Sequence, residues 1–227
     1  MEDIAIYGAG GFGREVLALL EQINERESKY NFIGFFDDGH ERGEMINGFP
    51  VLGGMDVLNI REGRLGLVLA IGDPVVKRSV FDKIFNSNIS YPSLIHPSVQ
   101  VCAGRYVEIE EGCIVCAGCI ITVNIVIHKF VILNLSCTVG HDTEIGEFSS
   151  FMPAVNISGE VVIGKDVYVG TGTKIINQLS IGDGTIVGAG AVVAKTLPPN
   201  CTAVGIPAKP IKFHEESENT RGRTVCS

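Results

Sequence analysis

The sequence predicts two units of different fold class: an α/β, half-Rossmann-like unit over residues 1–90 and a β-helix of hexapeptide repeats over residues 91–212, followed by a polar tail, 213–227. Three observations predict this. Fifteen positions spaced six apart, running from Ile109 through Val139 and Ile163 to Val193, are all apolar. With 45% apolar residues in the chain, a chosen register would achieve that by chance in about six cases per million, so the period reports architecture. Near the N-terminus, Gly8-Ala9-Gly10-Gly11-Phe12-Gly13 joins an apolar strand pattern to a helical one. Two further apolar runs of strand length end in Asp37-Asp38 and in Gly72-Asp73, as open α/β sheets do beside their ligands.

The elements of the first unit follow in order. Ile4 to Tyr7 reads as a short buried strand, the glycine-rich turn comes next, and a helix is expected from Arg14 to about Asn24. Phe32 to Phe36 and Leu67 to Ile71 are the second and third strands. Glycines let the backbone approach a ligand, and the exposed amides and dipole of the helix N-terminus suit a phosphate or a polar sugar group. A nicotinamide dehydrogenase competes for this motif, but about ninety residues supply only half of a dinucleotide sheet and the rest of the chain offers no hydride-acceptor site. Asp37 is open to two readings, a hydrogen bond to a sugar hydroxyl or nucleobase, or a simple strand end.

The second unit is read from its period. Six suits neither an isolated helix nor an alternating strand, but it suits a chain that turns a corner every six residues. The positions two before the large apolar residues are small or β-branched, among them Val107, Cys113, Cys119, Cys137, Thr143 and Ala191, so both sets can point inward. The positions just after them, Asn134, Gly140, Gly146, Gly164, Gly170, Gly182 and Gly188, tolerate positive φ and are expected to form the corners.

Composition narrows the function. Net charge is −8 and aromatics are 7%, which disfavours nucleic acid and anionic membranes as partners. No segment is long and apolar enough to span a bilayer, and the N-terminus enters a strand pattern without a secretory signal, so a cytoplasmic location is expected. Cys113, Cys116 and Cys119 mimic part of an iron–sulfur run, but Cys113 and Cys119 fall on the inward small-residue slot and Cys116 on a corner. The three should not converge on one ion, and no metal is expected.

The order of motifs carries a resemblance. The G-A-G-G-x-G unit, the D-D after the second strand, A-I-G after the third, I-H-P-S at 95–98, G-H-D-x-x-I-G-E-F-S at 140–149 and V-G-I-P-A-K at 204–209 together resemble the sugar acyltransferases related to sialic acid O-acetyltransferase and the bacillosamine-pathway N-acetyltransferase. The resemblance spans about residues 3 to 211. It implies a left-handed parallel β-helix with three hexads per triangular coil, transfer of an acetyl group from acetyl-CoA to a sugar or nucleotide-linked amino sugar, and a homotrimer. His141 matches the family's catalytic base. Its position agrees with the repeat, because it lies two past the inward Val139 and should project outside the coil. An imidazole titrates near neutrality, as removal of a proton from an attacking amine or hydroxyl requires.

By the same residue-by-residue match, Asp142 takes the place of the family's acidic partner, where the compared relative has Glu, and Glu144 is an alternative partner. Gly159 follows His141 by eighteen residues, one full coil, so it should stack beside the base and leave room for the pantetheine arm. Thr171 and Ala189 match further cofactor contacts, and Ser150 stands where the family has a cofactor-binding histidine. Gly10, Gly11, Phe12, Asp37, Asp38 and Gly72 match the acceptor site, Phe12 replacing a histidine. The remaining histidines carry weaker expectations: His128 is part of a turn and His96 caps the entry to the β-helix. Sialic-acid-type O-acetylation and a non-catalytic trimeric scaffold remain alternatives to N-acetylation.

Overall fold

The computed structural model describes residues 1–214. The N-terminal unit contains β1 (Glu2–Tyr7), α1 (Gly11–Arg26), β2 (Tyr30–Phe36), β3 (Met45–Ile46), β4 (Phe49–Gly53), α2 (Met55–Ile60), β5 (Leu65–Leu69), α3 (Pro74–Asp82) and β6 (Ile89–Ser90). They form one sheet in the order β3-β4-β2-β1-β5-β6, in which β1 runs parallel to both β2 and β5. The chain goes from β1 to one side and later returns to the other, so the carboxyl ends of β1 and β5 flank the crevice where such sheets bind ligands. The expected strands are present. The β3–β4 hairpin, turned at Asn47 and Gly48 with both φ positive, and the short α2 carry no long apolar period and were not foreseen. Nor was α3, whose N-cap Asp73 accepts from the Val76 N–H.

From Leu94 to Val193 the chain forms parallel strands of two or three residues on three faces. Face 1 runs from Leu94–Ile95 to Ile186–Val187 and on into the closing hairpin, face 2 from Gln100–Val101 to Val192–Val193, and face 3 from Val107–Ile109 to Ser180–Ile181. From Val107 to Val193 each strand pairs with the one eighteen residues away, for example Ile120 with Thr138 and Thr138 with Asn156, while the first coil pairs at twenty, Leu94 with Ile114, and the last at sixteen, Ile186 with Thr202. Ile121, Val139, Ile157 and Ile175 stack inside the prism with at most 3% exposure. Each such side chain contributes about 1.5–3 kcal/mol by leaving water.

The corners differ from expectation. None of Asn134, Gly140, Gly146, Gly164, Gly170, Gly182 and Gly188 has positive φ. The left-handed slot lies three residues after fourteen of the fifteen large apolar residues, all but Val193, and it is filled by Gly112, Gly118, Asn124, Phe130, Ser136, Asp142 and their successors to Gly190. Glycine follows the apolar residue for another reason: a Cβ on Gly140 would lie 2.5 Å from the Gly159 nitrogen, and one on Gly170 would lie 2.5 Å from that of Ala189. The coils stack too closely there for any side chain.

The N-terminal unit rests on face 1 and on its edge with face 3. Leu94, Ile114, Cys116 and Ile132 share a core with α1 and β1. Phe130 and Phe148, stacked at 4.8 Å, pack with Phe81 and Tyr91. Arg78 adds a polar clamp, binding Asp166 through Nε at 2.7 Å and Glu147 at 3.3 Å. The expected tail begins later than residue 213: the last strand, Lys209–Phe213, pairs with Cys201–Val204, and the His214 N–H donates to the Asn200 carbonyl. The rest of the predicted tail lies outside the described residues.

Candidate active site

His141 sits on the edge between faces 2 and 3, in the turn after the strand Thr138–Val139. The turn is pinned by backbone bonds: the Gly140 N–H donates to the Ile157 carbonyl, the Asp142 N–H to the Val123 carbonyl, and the Glu160 N–H to the His141 carbonyl. The imidazole therefore projects from a rigid rung, with its side chain 56% exposed.

The shorter carboxylate does reach. His141 Nδ1 lies 2.7 Å from Asp142 Oδ2, and the second oxygen, Oδ1, accepts from Asn124 Nδ2 at 2.8 Å. These bonds hold the Asp142 carboxyl below the usual carboxylate range, the Asn124 amide contributing most and His141 next. Glu144, the alternative partner, instead meets His128 Nε2 at 3.0 Å, while Glu110 meets Nδ1 of the same ring at 3.1 Å. His128 is thus a turn residue held between two carboxylates, and its proton affinity is raised, chiefly by Glu144.

Gly159 lies beside the base as the eighteen-residue register requires. A Cβ placed on it would be 2.5 Å from both Cε1 and Nε2 of His141. With a proton on Nδ1 shared with Asp142, the lone pair is on Nε2, directly over a position without a side chain. Among the described residues the Gly159 N–H donates to no protein acceptor, so it is free to meet an oxygen that gains charge.

The other cofactor candidates are elsewhere. Thr171 and Ala189 stack one coil apart on the edge between faces 1 and 2, across the width of face 2 from His141. Ser150 corrects its expectation. It is wholly buried on face 1, its hydroxyl accepting from Lys77 Nζ at 3.0 Å, so α3 seals it from any cofactor arm. Lys77, itself 1% exposed, was not foreseen, since only the docking of α3 brings it there.

In the N-terminal unit, Gly8 adopts φ +105 and a Cβ on Gly13 would lie 1.9 Å from the Gly8 carbonyl oxygen. These two glycines are needed to fold the loop tightly against α1. Gly10 and Gly11 have nothing within 4 Å of an added Cβ, so their backbone is open to a ligand. Phe12 packs on the core shared with face 1. Asp37 accepts from the Ala9 and Gly39 amides, each at 2.8 Å. Asp38 accepts from the Met55 amide at 2.7 Å and from the Tyr7 hydroxyl at 2.5 Å, and burial first, then that carboxylate, raises the proton affinity of the Tyr7 phenol. Both acids thus shape the loops around the crevice. Gly72 closes the same region, its added Cβ 3.9 Å from Met152 on the edge between faces 1 and 2.

Cys113 and Cys119 face the prism interior and Cys116 is buried beneath the N-terminal unit. Among the described residues no group of three His, Cys, Asp or Glu side chains is placed to hold a metal ion, and no helix is long and apolar enough to cross a membrane.

A parallel β-helix of hexads with an external histidine–carboxylate pair, preceded by a half-Rossmann-like sheet, defines the class of hexapeptide acyltransferases. Comparison with known proteins agrees. Residues 3–84 match the PglD N-terminal domain and residues 160–195 the bacterial transferase hexapeptide (six repeats). The chain is 32% identical to GDP-perosamine N-acetyltransferase from Escherichia coli O157:H7 over 213 residues, 91% of this chain and 95% of that one. Among solved structures it is similar to WeeI from Acinetobacter baumannii AYE (34% identity, TM-score 0.84, covering 93% of this chain and 100% of that one). It is also similar to PerB from Caulobacter crescentus in complex with CoA and GDP-perosamine (31% identity, TM-score 0.84, covering 93% and 98%). The chain belongs to this family of acetyl-CoA-dependent sugar N-acetyltransferases.

Proposed function

We propose that the chain transfers the acetyl group of acetyl-CoA to the amino group of a nucleotide-linked amino sugar, with His141 as general base. The observation that carries this reading is the placement of His141 Nε2 over the bare Gly159 while Nδ1 is held by Asp142. The sugar nitrogen attacks the thioester carbonyl, a C–N bond forms and its proton passes to Nε2. The Gly159 N–H, without a backbone acceptor of its own, stabilises the oxyanion. The C–S bond then breaks, and the CoA thiolate takes up the proton from the imidazolium. No acyl-enzyme is required.

The open amides of Gly10 and Gly11, with the loops held by Asp37 and Asp38, receive the nucleotide sugar next to Gly72. Gly72 lies at the same prism edge as Thr171 and Ala189, whereas His141 lies at the other edge of face 2. A homotrimer resolves this separation: around a threefold axis, the edge of one prism carrying the acceptor and cofactor contacts faces a neighbour's His141. The enzyme is assigned to the cytoplasm, where acetyl-CoA and nucleotide sugars are available. The test is thiol release from acetyl-CoA with a panel of UDP-, dTDP- and GDP-linked amino sugars, GDP-perosamine included, and free sialic acid, with products identified by mass spectrometry. N-acetylation of a nucleotide sugar is expected; turnover with free sialic acid alone would refute the assignment.

A further inference from the structure

Asn124 precedes Asp142 by eighteen residues and lies directly above it on the same edge of the prism. Both occupy the left-handed slot of their turns, with φ 56 and φ 55. Their backbones are fixed, the Asp142 N–H donating to the Val123 carbonyl next to Asn124. The Asn124 amide reaches one carboxylate oxygen at 2.8 Å, and His141 Nδ1 meets the other at 2.7 Å. We infer that Asn124 is a positioning residue for acetyl transfer, holding the Asp142 carboxylate in the one orientation that keeps a proton on His141 Nδ1 and the lone pair on Nε2.

The physical need is clear from the surroundings. The Asp142 side chain is half exposed, and a carboxylate with a single partner in water rotates freely and loses directional contact. A second donor on the opposite oxygen removes that freedom. Donating through its nitrogen, the amide favours the ionised carboxylate, the stronger acceptor, over the neutral acid. A similar amide-to-acid pair recurs lower on the same edge, where Gln178 Nε2 meets Glu160 Oε2 at 3.1 Å. The role of Asn124 must therefore be separated from simple stacking of coils.

The inference rests on His141 being the base, and a double-mutant cycle tests it separately. Glycine suits the left-handed backbone at both positions, so Asn124→Gly, Asp142→Gly and the double variant are compared with the unaltered protein, using the panel acceptor of highest kcat/KM. Asn124→Gly should lower kcat about tenfold, leave both KM values within about twofold, and add no further loss in the Asp142→Gly background. The 15N signals of His141 should show the Nδ1-protonated form giving way to a mixture of tautomers. A kcat within about twofold of the unaltered enzyme overturns the inference. So does an equal loss in both backgrounds, or an effect confined to KM or Tm. If His141→Ala is inactive while Asn124→Gly is unimpaired, the positioning role alone falls; if His141→Ala remains active, the reading beneath it falls as well.

Discussion

Replacing Gly159 by alanine tests the site at its tightest point. The added Cβ would lie 2.5 Å from His141 Cε1 and Nε2, whereas ordinary contact begins at 3.4 Å, so the ring must move by about 0.9 Å. The Gly159 backbone is held in the ladder through Gln178, whose N–H donates to the Gly159 carbonyl, so the exposed imidazole is what yields. That movement breaks the alignment with Asp142 Oδ2 and displaces Nε2 from the attacking nitrogen. A misplacement of about 1 Å costs about 100-fold in rate, and Gly159→Ala should lower kcat by that factor while Tm changes little. Gly140→Ala is the contrasting control. Its Cβ would meet the Gly159 nitrogen and Ser158 carbonyl carbon at 2.5 Å, backbone atoms that cannot swing away, so here Tm should fall along with the rate. Steady-state thiol release and thermal unfolding separate the two. A Gly159→Ala enzyme with kcat within about threefold of the parent would refute the proposed geometry.

Arg78→Met should loosen the seating of the N-terminal unit by about 1–3 kcal/mol, since it deletes charged hydrogen bonds at a half-buried site; Tm and protease resistance read the loss. Burial pushes the Lys77 ammonium down to about 7 from 10.5, so between those values the unfolded chain binds the extra proton. Stability should therefore rise with pH across that window, and a urea-unfolding pH series on Lys77→Met should show the rise removed. Acetyl-CoA at about 100 times its Kd should stabilise the fold by about 2.7 kcal/mol in unfolding experiments, whereas a non-catalytic scaffold would show no shift.

The prism was legible because its code is local and repeated: one large apolar residue per hexad must point inward, and a deviation at Ile157 or Ile163 would leave a hole. The same period puts Gly159 beside His141, since eighteen residues make one coil. The corner chemistry was harder. Phe130, Glu160 and Gln178 all adopt positive φ, and these residue types do not advertise it, whereas the glycines just after the large apolar residues, such as Gly140 and Gly170, serve coil-to-coil contact. Asn124 could have been found by stepping back eighteen residues from Asp142. Ser150 could not have been placed from its hexad alone, because Lys77 covers it from an element more than seventy positions away. The separation of Thr171 from His141 follows from assigning corners to edges, a step that the residue-by-residue match bypassed.

Acetyl transfer turns on the imidazole at position 141, and the most direct measurement is the single-turnover rate of acetyl transfer by His141→Ala beside the unaltered enzyme, with Tm and oligomeric state checked for both. The predicted result is a folded assembly that binds acetyl-CoA and transfers essentially no acetyl group. A variant that keeps most of the parent rate would contradict it.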